Sequence, residues 1–161
     1  MNRLPAFCGG TALLMFAWSV SALAQHGRPI DVGASARGAE RVVVGQVLRT
    51  DAAQLTNAYG DVLIVSHTLV RVDETLKGAS TATLLVDVEG GTLNGVTMRA
   101  SDIPSLKSGD RAVFFVDARG GGAFVPHQRG HGLLKLDDRG LTESGALSLD
   151  SIRTTVRAAA R

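Results

Sequence analysis

With 17 Lys and Arg against 15 Asp and Glu in 161 residues, the formal net charge is only +2, and Arg41, Arg49, Arg71, Arg99, Arg111 and Arg129 are scattered among carboxylates. Phosphate-tracking proteins gather positive charge on one face or helix, so nucleic acid is not an expected partner. The single cysteine, Cys8, precedes residue 25, which leaves residues 25–161 without a thiol for a disulfide, a thiolate metal site or a cysteine nucleophile.

In chain order, Met1–Ala24 reads as a signal peptide: a basic start with Arg3, the apolar stretch Thr11–Val20 and the small-residue exit Ala22-Leu23-Ala24. Cleavage is expected between Ala24 and Gln25, placing the protein in the periplasm or outside the cell. The apolar stretch is short for a bilayer span and no second one follows, so no membrane anchor is expected. Cys8 stands before the apolar stretch, the reverse of the order that lipoprotein processing needs. Residues 25–39, with Gly27, Pro29, Gly33 and Gly38 and few apolar side chains, are expected to be a flexible leader.

Residues 40–161 read as one domain. Arg41–Leu48 is a β-branched run of strand length with Gly45 inside it, and Thr50–Asp61 is polar enough for a loop. From Leu63 to Leu76 the chain alternates, with Ile64, Ser66, Thr68, Val70 and Val72 on one face and His67, Arg71 and Asp73 on the other. Thr81–Glu89 is a third strand, joined to the second by the turn Lys77-Gly78-Ala79-Ser80 and stopped by Gly90-Gly91. Val96–Arg99 is a short strand candidate, Pro104–Gly109 a turn and Arg111–Asp117 a buried strand. Gly120-Gly121-Gly122 turns the chain back toward strand candidates Ala123–Pro126 and Leu133–Leu136. The C-terminus reads as a helix, with Ser148 as N-cap and Leu149, Ile152 and Val156 on one face. The sum is a mainly β chain, a small antiparallel OB-like β-barrel with a C-terminal α-helix, with a β-sandwich as the competing architecture.

The motif set Val42-Val43-Val44-Gly45-Gln46-Val47, Val72-Asp73-Glu74-Thr75-Leu76-Lys77-Gly78, Gly90-Gly91 and Pro104 through Val116 resembles a group of small exported bacterial proteins. Their barrel is similar to the OB-like fold of netrin modules and tissue inhibitors of metalloproteases. The resemblance implies a non-enzymatic barrel that acts on or beside an exported protease. The animal inhibitors insert an N-terminal cysteine at the protease zinc, whereas the start expected here is Gln25 and no cysteine follows it.

Among residues that could carry chemistry, His127 and His131 stand in the Gly-rich segment Pro126–Gly132 and are candidate metal ligands, with Asp117, Asp137 or Asp138 as a third donor. In an extended strand this spacing holds two imidazoles about 13 Å apart, so a loop must curl to bring them to one ion. His26 lies second after the expected cut and reads as a solvated tail residue. Ser66, Ser101, Ser105 and Ser108 lack the Gly-x-Ser-x-Gly or Ser-x-x-Lys settings of a nucleophile. Asp73 and Glu74 are adjacent strand residues on opposite faces and cannot flank one bond. Asp102, Lys107, Asp110 and Arg111 read as a salt-bridged loop or a binding rim. The sequence thus points to a non-catalytic module without a cofactor that binds another exported protein through the loops Thr50–Asp61, Thr92–Leu106 and His127–Gly132. The alternative is a periplasmic metal-binding protein using His127 and His131.

Overall fold

The computed structural model describes residues 30–57 and 59–160. The expected signal peptide, its cleavage site, Cys8 and His26 lie outside the described residues. The elements are α1 (Val32–Gly38), β1 (Arg41–Thr56), β2 (Val62–Lys77), β3 (Thr83–Glu89), β4 (Gly91–Leu93), β5 (Val96–Met98), β6 (Arg111–Gly120), β7 (Ala123–Pro126), a 3-10 turn (Arg129–Gly132), β8 (Leu133–Leu136) and α2 (Leu149–Ala159). The chain is mainly β. Among the described residues no helix is long and apolar enough to cross a membrane.

Strands β1, β2, β3, β7 and β6 pair in turn, and β6 closes back on β1 from Arg41↔Val116 to Gln46↔Arg111. The result is a barrel-like ring with OB-like strand order and a C-terminal helix, and its closure distinguishes it from two stacked sheets. The ring is antiparallel except where β3 meets β7, a short parallel pairing through Leu85↔Ala123 and Val86↔Phe124. Strand β8 extends the sheet on β6, and β4 with β5 forms a separate two-stranded hairpin.

Two apolar layers hold the ring. Inside it, Val43, Val47, Val70, Val86, Phe114 and Phe124 interdigitate from five strands. Outside it, Val42 and Val44 of β1, Val113 and Phe115 of β6 and Leu134 of β8 pack under Val32 and Ala36 of α1 and Ile152 and Val156 of α2. Strands β1 and β6 are therefore buried on both faces, which explains why Val42-Val43-Val44 and Ala112 through Val116 read as unbroken apolar runs rather than alternating ones.

Several expectations need correction. Residues 32–38, expected within a flexible leader, form α1. A seven-residue helix is not stable alone, and what holds this one is tertiary. Asp31 caps its start by accepting from the Ala34 N–H at 2.9 Å. At its other end Lys77 Nζ donates to the carbonyls of Ala36, Arg37 and Ala39 at 2.8, 3.1 and 2.6 Å, placing a cation where the helix dipole is negative. Thr50–Thr56, expected as loop, continues β1, because each residue from Thr50 to Thr56 pairs with β2 from Thr68 to Val62. Gly91, expected in a turn, opens β4.

Helix α2 starts as the sequence predicts. The Ser148 and Ser151 side chains cap each other's backbone N–H groups, each at 3.2 Å. Glu74 of β2 accepts from Arg153 Nε at 2.8 Å and Arg157 Nη2 at 3.1 Å, fixing the helix against the ring.

Replacing Lys77 with Met should cost about 1.5–3 kcal/mol in denaturant unfolding and speed hydrogen exchange of the Ala39 amide, which closes α1 on the Ser35 carbonyl. A second prediction concerns pH. Lys135 of β8 reaches Asp110 at 2.9 Å, and that hydrogen bond is the main reason its pKa rises above the ordinary 10.5. A raised pKa means the pair's stabilisation is complete below the unfolded value and is lost as pH climbs through the folded one. Lys135→Met should flatten the loss of melting temperature with pH above about 10.5.

Candidate functional site

The paired arms of β1 and β2 run on past the ring, and their outward side chains there are apolar. Leu55 of β1 and Leu63 and Val65 of β2 form the floor of a groove of about 460 Å³ whose other walls are Val125 and Pro126 of β7 and Ile103. Leu55 is 37% exposed, and Val62 and Tyr59 beside the hairpin tip are 58% and 92% exposed. All three segments expected to supply binding contacts reach this groove: Leu55, Thr56 and Asn57 from the first, Ile103 from the second and Arg129 from the third.

Charged pairs frame the groove. Asp87 of β3 is held by His67 Nδ1 at 2.6 Å and by Arg119 Nη1 at 3.1 Å. Glu89 accepts from Arg129 Nη2 at 3.1 Å, while Arg129 Nε reaches Asp102 at 3.2 Å. Arg129 thus ties β3 to the segment carrying Ile103. Both partners of each pair line the groove or sit at its edge, so their charges are already compensated and the floor stays apolar. Sequence reading missed the His67–Asp87 pair, although the two occupy directly opposed outward positions on β2 and β3.

The two histidines of the Gly-rich segment have different surroundings. His127 Nδ1 bonds Asp117 Oδ2 at 2.7 Å and its side chain is 16% exposed. Its Nε2 edge packs against Gly38, where an added Cβ would stand 2.5 Å from Nε2. Asp117 also accepts the Glu40 N–H at 3.0 Å, and Glu40 Oε2 accepts the Ala118 N–H at 3.1 Å. His127 is therefore a strut between β6, β7 and the end of α1, with one ring nitrogen bonded and the other beside Gly38. A metal would need an open nitrogen about 2.0–2.1 Å from the ion. His131 is exposed on the 3-10 turn. Among the described residues no group of three or more His, Cys, Asp or Glu is placed to share an ion.

The glycines of this segment serve close packing. A Cβ on Gly130 would fall 1.4 Å from the Asp102 carbonyl oxygen, so only glycine lets the turn lie against residues 102–103. The preceding Gln128 and Arg129 both take left-handed backbone, with φ of 52° and 59°.

The other candidates do not gather into a site. Asp102 pairs with Arg129, Asp110 with Lys135, and Arg111 with Asp73 at 3.6 Å. Lys107 donates its backbone N–H to Asp110. Asp73 and Glu74 point to different partners, the former to Arg71 and Arg111 and the latter to α2. Ser66 and Ser108 donate to the carbonyls of Gly90 and Leu48, and among the described residues no serine hydroxyl bonds a histidine or a carboxylate. No protein-family model and no curated protein matches this chain.

His127→Ala should destabilise the fold by about 1–3 kcal/mol in denaturant unfolding, since it leaves Asp117 short of a partner and opens the contact with Gly38. His131→Ala should change stability by less than about 0.5 kcal/mol.

Proposed function

We propose that this protein is an exported, non-catalytic binding module that acts on another exported protein, and that it grips its partner in the groove over Leu55, Leu63 and Val65. The observation that carries the reading is the convergence of three separate segments on one apolar floor. Leu55 on that floor is 37% exposed. Contiguous exposed apolar surface framed by polar residues is a common mark of a protein interface. The compensated pairs Asp87–Arg119 and Glu89–Arg129 suit such a rim, because they give register without leaving a bare charge in the floor. Export follows from the reading of Met1–Ala24, and the resemblance to netrin modules and metalloprotease inhibitors points to a protease as the partner class. A grip by groove residues needs no N-terminal cysteine, which this chain lacks after residue 24.

Immobilised protein should retain one component of the organism's exported fraction at a ratio near one to one. Leu55→Asp should lower that retention at least tenfold without lowering the unfolding midpoint, since the side chain is exposed. Undiminished retention by this variant would remove the groove from the account.

A further inference from the structure

Strand β1 is 16 residues long, and only its first part lies between two neighbours. On one side it pairs with β2 along its length, from Val42↔Lys77 to Thr56↔Val62. On the other side β6 follows it from Arg41↔Val116 to Gln46↔Arg111. Val47 then exchanges backbone bonds with Gly109 and Asp110 at 2.9 and 2.8 Å, and the Leu48 carbonyl accepts from the Ser108 hydroxyl at 2.8 Å. There the cover ends. Among the described residues no hydrogen bond reaches the backbone of Arg49–Thr56 from that side. Alternate residues of an antiparallel strand turn their N–H and C=O away from the paired neighbour, so this stretch presents an open strand edge about 27 Å long at strand rise.

Sheets blunt such edges with lysine, proline or a bulge. Thr50-Asp51-Ala52-Ala53-Gln54-Leu55-Thr56 contains neither lysine nor proline, and the register shifts of the β1–β2 pair stop at Arg49. Its one ion pair, Asp51 with Arg49 at 3.3 Å, stays within the strand. The apolar exposure of β1 sits at the two ends of this edge: Leu48 is 41% and Leu55 37% exposed, whereas Val42, Val43, Val44 and Val47 are buried.

The edge is complementary to itself. An added antiparallel strand keeps inward and outward faces matched only when residues of the same parity oppose each other. A second copy related by a two-fold axis through Ala52 meets that condition. Thr50 then opposes Gln54, Asp51 opposes Ala53, and Leu55 opposes Arg49 of the other copy with Leu48 next to it, so the aliphatic stem of Arg49 covers the exposed leucine. No like charges face each other. An axis through Asp51 would set two carboxylates together, and one through Ala53 would set Leu55 against Asp51. The Ala52 pairing also spans Arg49–Leu55 on both copies, between the Ser108 bond at one end and the turn closed by the Asn57 N–H on the Asp61 carbonyl at the other.

We propose that the open edge of β1 is the interface of a reversible homodimer, in which two copies join Arg49–Leu55 antiparallel about a two-fold axis at Ala52 and their sheets run on as one. Main-chain bonds form along the edge, and the leucines exposed at its ends are brought together. This interface does not rest on the groove reading: Ala52 and Ala53, at its centre, do not line the groove, although Leu55 contributes to both.

Residues 25–161 contain no cysteine, so single introduced cysteines report the pairing directly. In sedimentation equilibrium the exported form should show a reversible equilibrium between monomer and dimer. Ala52→Cys, at the axis, should form a disulfide-linked dimer under mild oxidation at least tenfold faster than Thr56→Cys, whose two copies lie at opposite ends of the interface. Ala53→Asp places a carboxylate opposite Asp51 of the other copy at two symmetric positions and should weaken the dimer at least tenfold. Adding Asp51→Lys should restore it, a rescue that general damage to the fold would not show. A protein that stays monomeric up to its solubility limit would overturn the proposal. So would a dimer left intact by Ala53→Asp, or Thr56→Cys cross-linking as fast as Ala52→Cys.

Discussion

The structure depends on burying β1 and β6 on both faces. An unbroken apolar run such as Val42–Val44 or Ala112–Val116 can be satisfied inside a small ring on one face only; the other face must be covered from outside. Val42, Val44, Val113 and Phe115 therefore require α1 and α2, and the helices in turn require fixed ends. Lys77 supplies one, through three carbonyls at the close of α1. Glu74, three residues earlier on the same strand, supplies another through Arg153 and Arg157 of α2. The end of β2 is thus where the outer layer is tied to the ring. His127 and Asp117 add a further tie to the same end of α1 from the opposite strands.

Covering one side of the ring with helices leaves the remainder of the outer surface to carry function. The outward face of β2 around Leu63, Val65 and His67 lies away from Glu74, Leu76 and Lys77, where the helices attach. There the long β1–β2 arms place Leu55, Leu63 and Val65 opposite β7, and the paired charges of Asp87 and Glu89 frame them. The same long arms outrun the apolar filling of the ring, and a second recess opens under the β4–β5 hairpin. Both recesses arise from one construction: strands longer than the core they enclose. His127 bonds Asp117 and packs against Gly38, and so helps hold the fold together.

Much of the fold was legible in the sequence because its signals are local. Ala123–Pro126 and Leu133–Leu136 are strands at the expected residues, and Ser148 caps α2 with Leu149, Ile152 and Val156 buried as their spacing predicts. Alternation in β2 correctly placed Val70 inside and Arg71 outside. The misses share a cause, namely stabilisation from distant residues. Helix α1 carries two of its seven residues as glycine and depends on a lysine about forty positions away. Thr50–Thr56 has no strand pattern of its own and is held by its pairing with β2. In the Gly-rich run around His127, Gly130 is needed because the chain passes against the Asp102 carbonyl, a contact no local pattern announces. The groove was visible only in fragments, since its floor and walls are assembled from β1, β2 and β7.

The central claim is that the protein meets its partner on the helix-free face. Hydrogen exchange read by mass spectrometry, with and without the captured exported partner, tests it most directly. The account predicts added protection over Leu55–Val65 and Val125–Arg129 and none over α1 and α2. Protection confined to Val32–Gly38 and Leu149–Ala159, with the β1–β2 tip unchanged, would contradict it.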